Sequence, residues 1–358
     1  MSKPIQALTR RGLLKSAPLA SAIPLALHSS SSNVEAYRPF AAQGMNGCQL
    51  LPGAQFYVGI DNKGLWPNLT KLSNGELAAA IYNHPSHGYG DNSDVELWVS
   101  SDGGISWNFR SKVSSHPEVP NGIRMNHAIG LNSDGHLVAL VSGYQPRQKL
   151  PFLKLQRCLS RDDGKTWERA LLNTEVIPHG DIFPLPDGRL VCPSYRKLPG
   201  PGRKRRASVI FSRDGGLTWG EEQPSANDVS ESFILRRPDG EWLAVCRTSC
   251  QDRMDGALPH GSGETLIRSK DEGKTWTEPK LISPQGQENA QLLELKDGRL
   301  LCSFTSRIPG LFGVVLRMSE NGGDSWSIPV VLISCAARDW HKTDVGYPSS
   351  VQLDDASI

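Results

Sequence analysis

Ser160-Arg161-Asp162-Asp163-Gly164-Lys165-Thr166-Trp167, SRDDGKTW, is written four more times with small changes: SSDGGISW at 100–107, SRDGGLTW at 212–219, SKDEGKTW at 269–276 and SENGGDSW at 319–326. The five boxes begin 60, 52, 57 and 50 residues apart, and such a period marks a repeat architecture. Within a box the Asp suits backbone N–H groups, the Gly a left-handed seat, the Ser or Thr hydroxyl its neighbours, and the Trp packing between repeats. The box therefore reads as a structural staple rather than a calcium-binding or catalytic element.

A second motif interleaves with the boxes. Tight turns flanked by apolar runs occur at LSNGELAAAI (Leu72), LNSDGHLVAL (Leu131), LPDGRLVC (Leu185), RRPDGEWLAVC (Arg236), LKDGRLLCSF (Leu295) and, in degenerate form, LDDASI (Leu353). Asn-Gly or Asp-Gly between β-rich runs predicts a hairpin, because the turn needs positive φ. Each unit then offers a strand, a hairpin, a second strand, a third such as VELWVS or ASVIFS, the box, and a fourth strand. Four antiparallel strands per unit predict an all-β, six-bladed propeller. The sixth blade is expected to be incomplete, short by about two strands with an unpaired edge, and Gln55 to Ile60 (QFYVGI) is a candidate for a closing strand.

Composition excludes several classes. A net charge of +2 with 21% charged residues implies neither a nucleic-acid nor a membrane partner. Seven Cys without zinc spacing predict no metal centre and no cofactor, and Cys192, Cys246 and Cys302 read as small buried hydrophobes in strands. Residues 1–32 differ from the rest: Thr9-Arg10-Arg11-Gly12-Leu13-Leu14-Lys15 leads into a short Ala/Leu/Pro-rich run and a Ser tract. That segment resembles a twin-arginine export signal, with Ala20-Ser21-Ala22 as a weak cleavage site and a run too short to span a bilayer. The expectation is an exported protein, periplasmic or extracellular, with residues 33–358 forming one domain; oligomeric state is not written in the sequence.

Counting back from the turns aligns the units. Nine residues before Gly75, Gly135, Gly188, Gly240, Gly298 and Ala356 stand Trp66, Asn126, His179, Glu231, Asn289 and Tyr347. These six are expected near one end of six innermost strands, where a propeller gathers polar groups on a ligand. After the turns, Arg196, Arg247 and Arg307 return to the same end, and their planar forks suit a carboxylate.

Repeated S-x-D-x-G-x-T-W boxes on a six-unit β repeat resemble the sialidase (neuraminidase) superfamily, where they are called Asp-boxes. The resemblance runs from about Gly64 to Ile358 and implies an exo-α-sialidase-like glycoside hydrolase acting on a glycan or glycoconjugate. It implies that Tyr347, in GYPSSVQLDD, is the nucleophile, that Glu231, in SESFILRRPDG, is its paired base, and that Arg247 and Arg307 hold the substrate carboxylate. It places a catalytic acid between the first turn and first box, where Asp94 and Asp91 are candidates, with His84 and His87 as rivals for proton transfer. A phenol avoids the repulsion that an anionic nucleophile would meet beside that carboxylate, but its ordinary pKa of about 10 demands a base.

One position departs from the resemblance. Where an Arg-Ile-Pro signature would supply a first arginine, the sequence has Leu65-Trp66-Pro67-Asn68. Arg124 or Arg196 is then expected to substitute, or Trp66 to stack on a different sugar. Arg203 to Arg206 reads as a solvated basic loop. The alternatives are a non-catalytic glycan-binding propeller and a hydrolase or lyase of uronate-bearing glycans using His179 or His84.

Overall fold

The computed structural model describes residues 54–61, 63, 65–84, 93–116, 122–144, 152–200, 204–248, 263–283, 286–308, 311–334 and 346–358. Residues 1–32, Asp91 and His87 lie outside the described residues. All described regular structure is strand.

Unit one comprises β1 (Leu65–Lys71), β2 (Leu77–Tyr82), β3 (Val95–Ser100) and β4 (Asn108–Lys112). Unit two comprises β5 (Ile123–Leu131), β6 (Leu137–Tyr144), β7 (Phe152–Ser160) and β8 (Glu168–Leu171). In unit three the innermost strand is split into β9 (Ile177–Pro178) and β10 (Gly180–Pro184), followed by β11 (Leu190–Lys197), β12 (Arg205–Ser212) and β13 (Gly220–Asn227). Unit four is β14 (Val229–Arg236), β15 (Trp242–Thr248), β16 (Glu264–Ser269) and β17 (Lys280–Leu281). Unit five is β18 (Gln287–Glu294), β19 (Leu300–Ile308), β20 (Leu311–Ser319) and β21 (Val330–Ser334). Strands pair antiparallel in sequence order within each unit, with one addition: β10 also pairs β5 in parallel, fusing units two and three into one sheet.

Burial follows position in the unit. The second strands are buried on both faces, as in β2 and β15, whereas the outermost β4, β8 and β17 are largely exposed. Sheets covered on both faces need near-continuous apolar runs rather than alternation, which is why GRLVC and EWLAVC read as they do. Cys158, Cys192, Cys246 and Cys302 are free thiols buried in these strands.

The cores lie between units, and the box tryptophans complete them: Trp167 packs on units one and two, Trp219 on two and three, Trp276 on three and four, Trp326 on four and five. The four boxes that carry Asp share one bonding pattern, and in the fifth Asn321 reverses one bond by donating to Ser325 Oγ. In SRDDGKTW, Asp162 Oδ1 accepts from Ser160 Oγ (2.8 Å) and Thr166 N (2.9 Å), Asp162 Oδ2 accepts from Thr166 Oγ1 (2.6 Å), and Gly164 N donates to Ser160 Oγ (2.8 Å). Burial alone would raise the Asp162 pKa, but these donors bring it down to about 2.

Residues 346–358 have no assigned strand, yet they join unit five to unit one. Ser349 Oγ accepts from Leu69 N (3.0 Å), Gln291 Nε2 donates to Ser349 Oγ (3.3 Å), and Tyr347 N donates to Thr305 Oγ1 (2.9 Å). LDDASI makes the same turn as its counterparts, with Ala356 at φ 69° in the seat where the other five carry Gly. Gln55 to Ile60 forms no strand, although Gly59 lies directly against the Trp107 ring of unit one.

Candidate functional site

The six aligned positions do converge. Trp66, Asn126, His179, Asn289 and Tyr347 line one cavity at the end of the innermost strands, and Glu231 is tied to it through Arg247. Four innermost strands change register here, at Leu65/Asn68, Arg124/His127, Val229/Ser232 and Glu288/Gln291. A bulge re-aims the side chain it carries, and Trp66, Asn289 and Tyr347 sit at φ 56°, 60° and 61°. Left-handed backbone at a tryptophan and a tyrosine costs on the order of 1–3 kcal/mol each and persists where surrounding packing enforces it.

Arg247 is the hub. Its Nη1 stands 3.4 Å from the Tyr347 hydroxyl, 3.2 Å from Asn289 Oδ1 and 3.6 Å from Glu231 Oε2, while its Nε is 2.7 Å from Glu288 Oε2. Arg307 Nη1 meets the other oxygen of Glu288, also at 2.7 Å. Tyr347 and Glu231 thus meet the same arginine nitrogen and do not hydrogen-bond each other directly. Burial would raise the Glu231 carboxyl, yet Arg247 and Arg205, with His179 and the Ser230 hydroxyl, hold it at about 2. Burial and the charge of Glu231 push the Tyr347 phenol up, against the pull of Arg247 and Arg307. Burial lowers the His179 pKa, against the pull of Glu231, and its ring lies 5.9 Å from that of Tyr347.

An aromatic wall stands opposite. Trp66 stacks on Tyr82 (5.4 Å, 18°), Tyr82 on His84 (5.9 Å, 24°), and the Trp66 ring meets Tyr347 edge-on (5.8 Å, 79°). His84 therefore lies in this stack. Asn126 accepts from the Tyr144 hydroxyl at 3.0 Å.

Three expected residues are engaged elsewhere. Arg196 is clamped on Glu222, which also holds Arg206, because β11 and β12 place Arg196 opposite Arg206 and a shared carboxylate relieves their repulsion. Arg124 is fully buried and donates to the carbonyls of Val141 (3.3 Å) and Lys154 (2.5 Å), so its fork ties strands together. Asp94 is buried against Ser114 Oγ (3.0 Å) and His116 Nδ1 (3.0 Å) and does not line the cavity.

Three residues of the site do not stand out in the sequence. Arg205, which reads there as part of a solvated loop, lies 3.8 Å from Glu231 and over the Tyr195 ring; its place at the head of β12, level with Lys197, is the available signal. Glu288 precedes the aligned Asn289. Glu264 is fully buried and accepts from Ala290 N (3.1 Å), and burial raises its pKa well above the usual carboxylate range.

The BNR repeat-like domain family matches residues 75–358. A sialidase of Bacteroides fragilis (strain YCH46) is 24% identical over 223 residues, 56% of this chain and 37% of that protein. A sialidase of Micromonospora viridifaciens is 24% identical over 209 residues, 56% of this chain and 32% of that protein. The chain thus spans about a third of the length of these curated relatives. Among solved structures, a Dyadobacter fermentans protein of unknown function superposes with a TM-score of 0.67 at 23% identity, covering 82% of this chain and 88% of that one. The Hadza microbial sialidase Hz136 gives 0.61 at 18% identity, covering 75% and 58%. The NanB sialidase of Streptococcus pneumoniae gives 0.60 at 13%, covering 84% and 65%. With the match extending over most of its length, the chain belongs to the BNR repeat-like family of the sialidase superfamily and has its all-β propeller fold.

Proposed function

We infer that this chain is an exported, sialidase-like glycoside hydrolase that removes a terminal sialic acid or related acidic sugar with retention, through a covalent intermediate on Tyr347. The observation that carries this reading is the meeting of the Tyr347 hydroxyl and Glu231 at Arg247 Nη1, with Glu288 bridging Arg247 Nε to Arg307. Arg247 and Arg307 take the substrate carboxylate by charge-assisted hydrogen bonds. The Tyr347 oxygen then bonds to the anomeric carbon as the bond to the leaving oxygen breaks; the phenolic proton passes to Glu231, and a general acid protonates the leaving group. Water, losing a proton to the group that protonated the leaving oxygen, then attacks the same carbon as its bond to the Tyr347 oxygen breaks, and Glu231 returns the phenolic proton to that oxygen.

Beside the unscreened guanidinium groups Glu231 is a weak base, because they hold its pKa at about 2. An anion on Arg247 cancels part of that field, so substrate binding itself raises the basicity of Glu231. Of the two acid candidates, Asp94 is committed to His116, which leaves Asp91 as the acid in this reading. The same observation favours a second reading, a glycan-binding propeller without a working acid. Export rests on the twin-arginine-like segment.

Release of a fluorogenic alcohol from an α-sialoside, set against a uronide panel, tests the assignment. Turnover of the sialoside that falls at least about 1000-fold in Tyr347→Phe supports it. Equal rates in the variant remove the nucleophile, and binding without turnover of any glycoside favours the lectin-like reading.

A further inference from the structure

Glu288 is fully buried, and each of its oxygens meets a different arginine at 2.7 Å, Oε2 with Arg247 Nε and Oε1 with Arg307 Nη1. A carboxylate taken out of water is unfavourable unless fully paired, so this one needs both arginines, and both arginines are fixed by it. With Nε engaged, the Arg247 fork turns its Nη1 toward Tyr347 and Asn289.

The backbone around Glu288 is shaped for this task. Glu288 faces Thr305 across β18 and β19, the register shifts immediately after it, and Asn289 takes the left-handed conformation. The Ala290 N–H in that bulge donates to Glu264 Oε1 from unit four (3.1 Å), while Glu264 Oε2 has no hydrogen-bond partner among the described residues. Two neighbouring units therefore cooperate to hold a carboxylate between two arginines.

We propose that Glu288 is a positioning residue that locks Arg247 and Arg307 into a single clasp, so that a carboxylate-bearing sugar meets two forks already aimed. The inference rests on the acidic-sugar reading above. Its rival is that Glu288 competes with the substrate carboxylate and must be displaced. The two differ in sign, because removing a competitor tightens binding whereas removing a positioning group weakens it.

The test uses the full chain with Glu288→Gln and Glu288→Asp. Hydrolysis of 4-methylumbelliferyl α-N-acetylneuraminide is measured alongside calorimetric binding of free N-acetylneuraminic acid and its methyl ester. Orienting groups behind a binding site are commonly worth about 10–100-fold in affinity or activity. The Kd for the acid, and KM for the glycoside, should rise by about that factor in both variants, with the loss falling on KM more than on kcat, and with ester binding unmoved. Unchanged or tighter acid binding in Glu288→Gln overturns the proposal. If the wild-type chain hydrolyses no sialoside, the hydrolase reading fails alone, and acid against ester still decides the clasp. Equal wild-type binding of acid and ester, or of neither, overturns it. Should Glu288→Gln fail to fold, Glu288→Asp decides, since it keeps the charge and withdraws the carboxylate by one methylene. A merely structural role would lower the melting temperature and weaken both ligands alike.

Discussion

Replacing Gly130 by alanine tests the seam between units two and three, on which His179 and Gly180 depend. A Cβ at Gly130 would stand 1.8 Å from the carbonyl oxygen of Ile182, whereas a carbon and a carbonyl oxygen approach to about 3.3 Å. The obstacle is backbone, so no rotamer relieves it, and β10 must retreat by about 1.5 Å, the difference between those two distances. A hydrogen bond lengthened by that much is lost, and the parallel ladder pairs Gly180 with Ala128, Asp181 with Ile129, and Ile182 with Gly130. Losing two or three such bonds at about 1 kcal/mol each, and more where a buried group is left unpaired, costs about 3–5 kcal/mol. At roughly 2–4 °C per kcal/mol the melting temperature should fall by about 10 °C. Gly188→Ala is the control, since Gly188 has φ +86° and nothing within 4 Å of the point where a Cβ would stand, so it bears only the left-handed penalty of about 1 kcal/mol. Calorimetric melting of both variants decides the matter. If Gly130→Ala melts within about 2 °C of Gly188→Ala, the seam carries no such weight and the reasoning is wrong.

Other expectations follow from single groups. Ala356→Gly should stabilise the chain by about 1 kcal/mol, because Ala356 occupies a left-handed turn seat at φ 69°; thermal melting reads it. Asp162→Ala should cost about 1 kcal/mol after allowance for solvent screening, while Asp162→Asn should cost less, as Asn321 already fills the same role in the fifth box by donating to Ser325 Oγ at 2.9 Å. Because the folded Asp162 pKa is depressed to about 2, its contribution is present above about pH 4 and lost as pH falls toward 2, so the Asp162→Ala difference should vanish in melts at low pH. Asp181 has the opposite sign: burial raises its carboxyl to about 7, against the Asn68 hydrogen bond. Stability linked to Asp181 is present below about pH 4 and declines as pH rises from there through 7, so Asp181→Asn should raise the melting temperature at about pH 8 and leave it nearly unchanged at about pH 4.

The sequence by itself determined the all-β repeat architecture and the address of the candidate site. Box and turn spacing depends on local chemistry, an Asp accepting nearby N–H groups and a Gly in a left-handed seat, and such chemistry is legible without neighbours. Counting from the turns found Tyr347, Glu231 and Asn289 because each stretch of chain enters the same kind of turn at the same depth. Tertiary structure decided which charges face one another. Arg196 and Arg205 sit at the ends of adjacent strands in one unit, and only the paired sheet sends the first to Glu222 and the second toward Glu231. Glu288 and Glu264 look like ordinary strand-end acids until two units close around them, one held between two arginines and the other with its carboxyl pushed up by burial. A charge acts across space rather than along the chain, so its partner, and therefore its role, is fixed only when separate units are brought within a few ångströms.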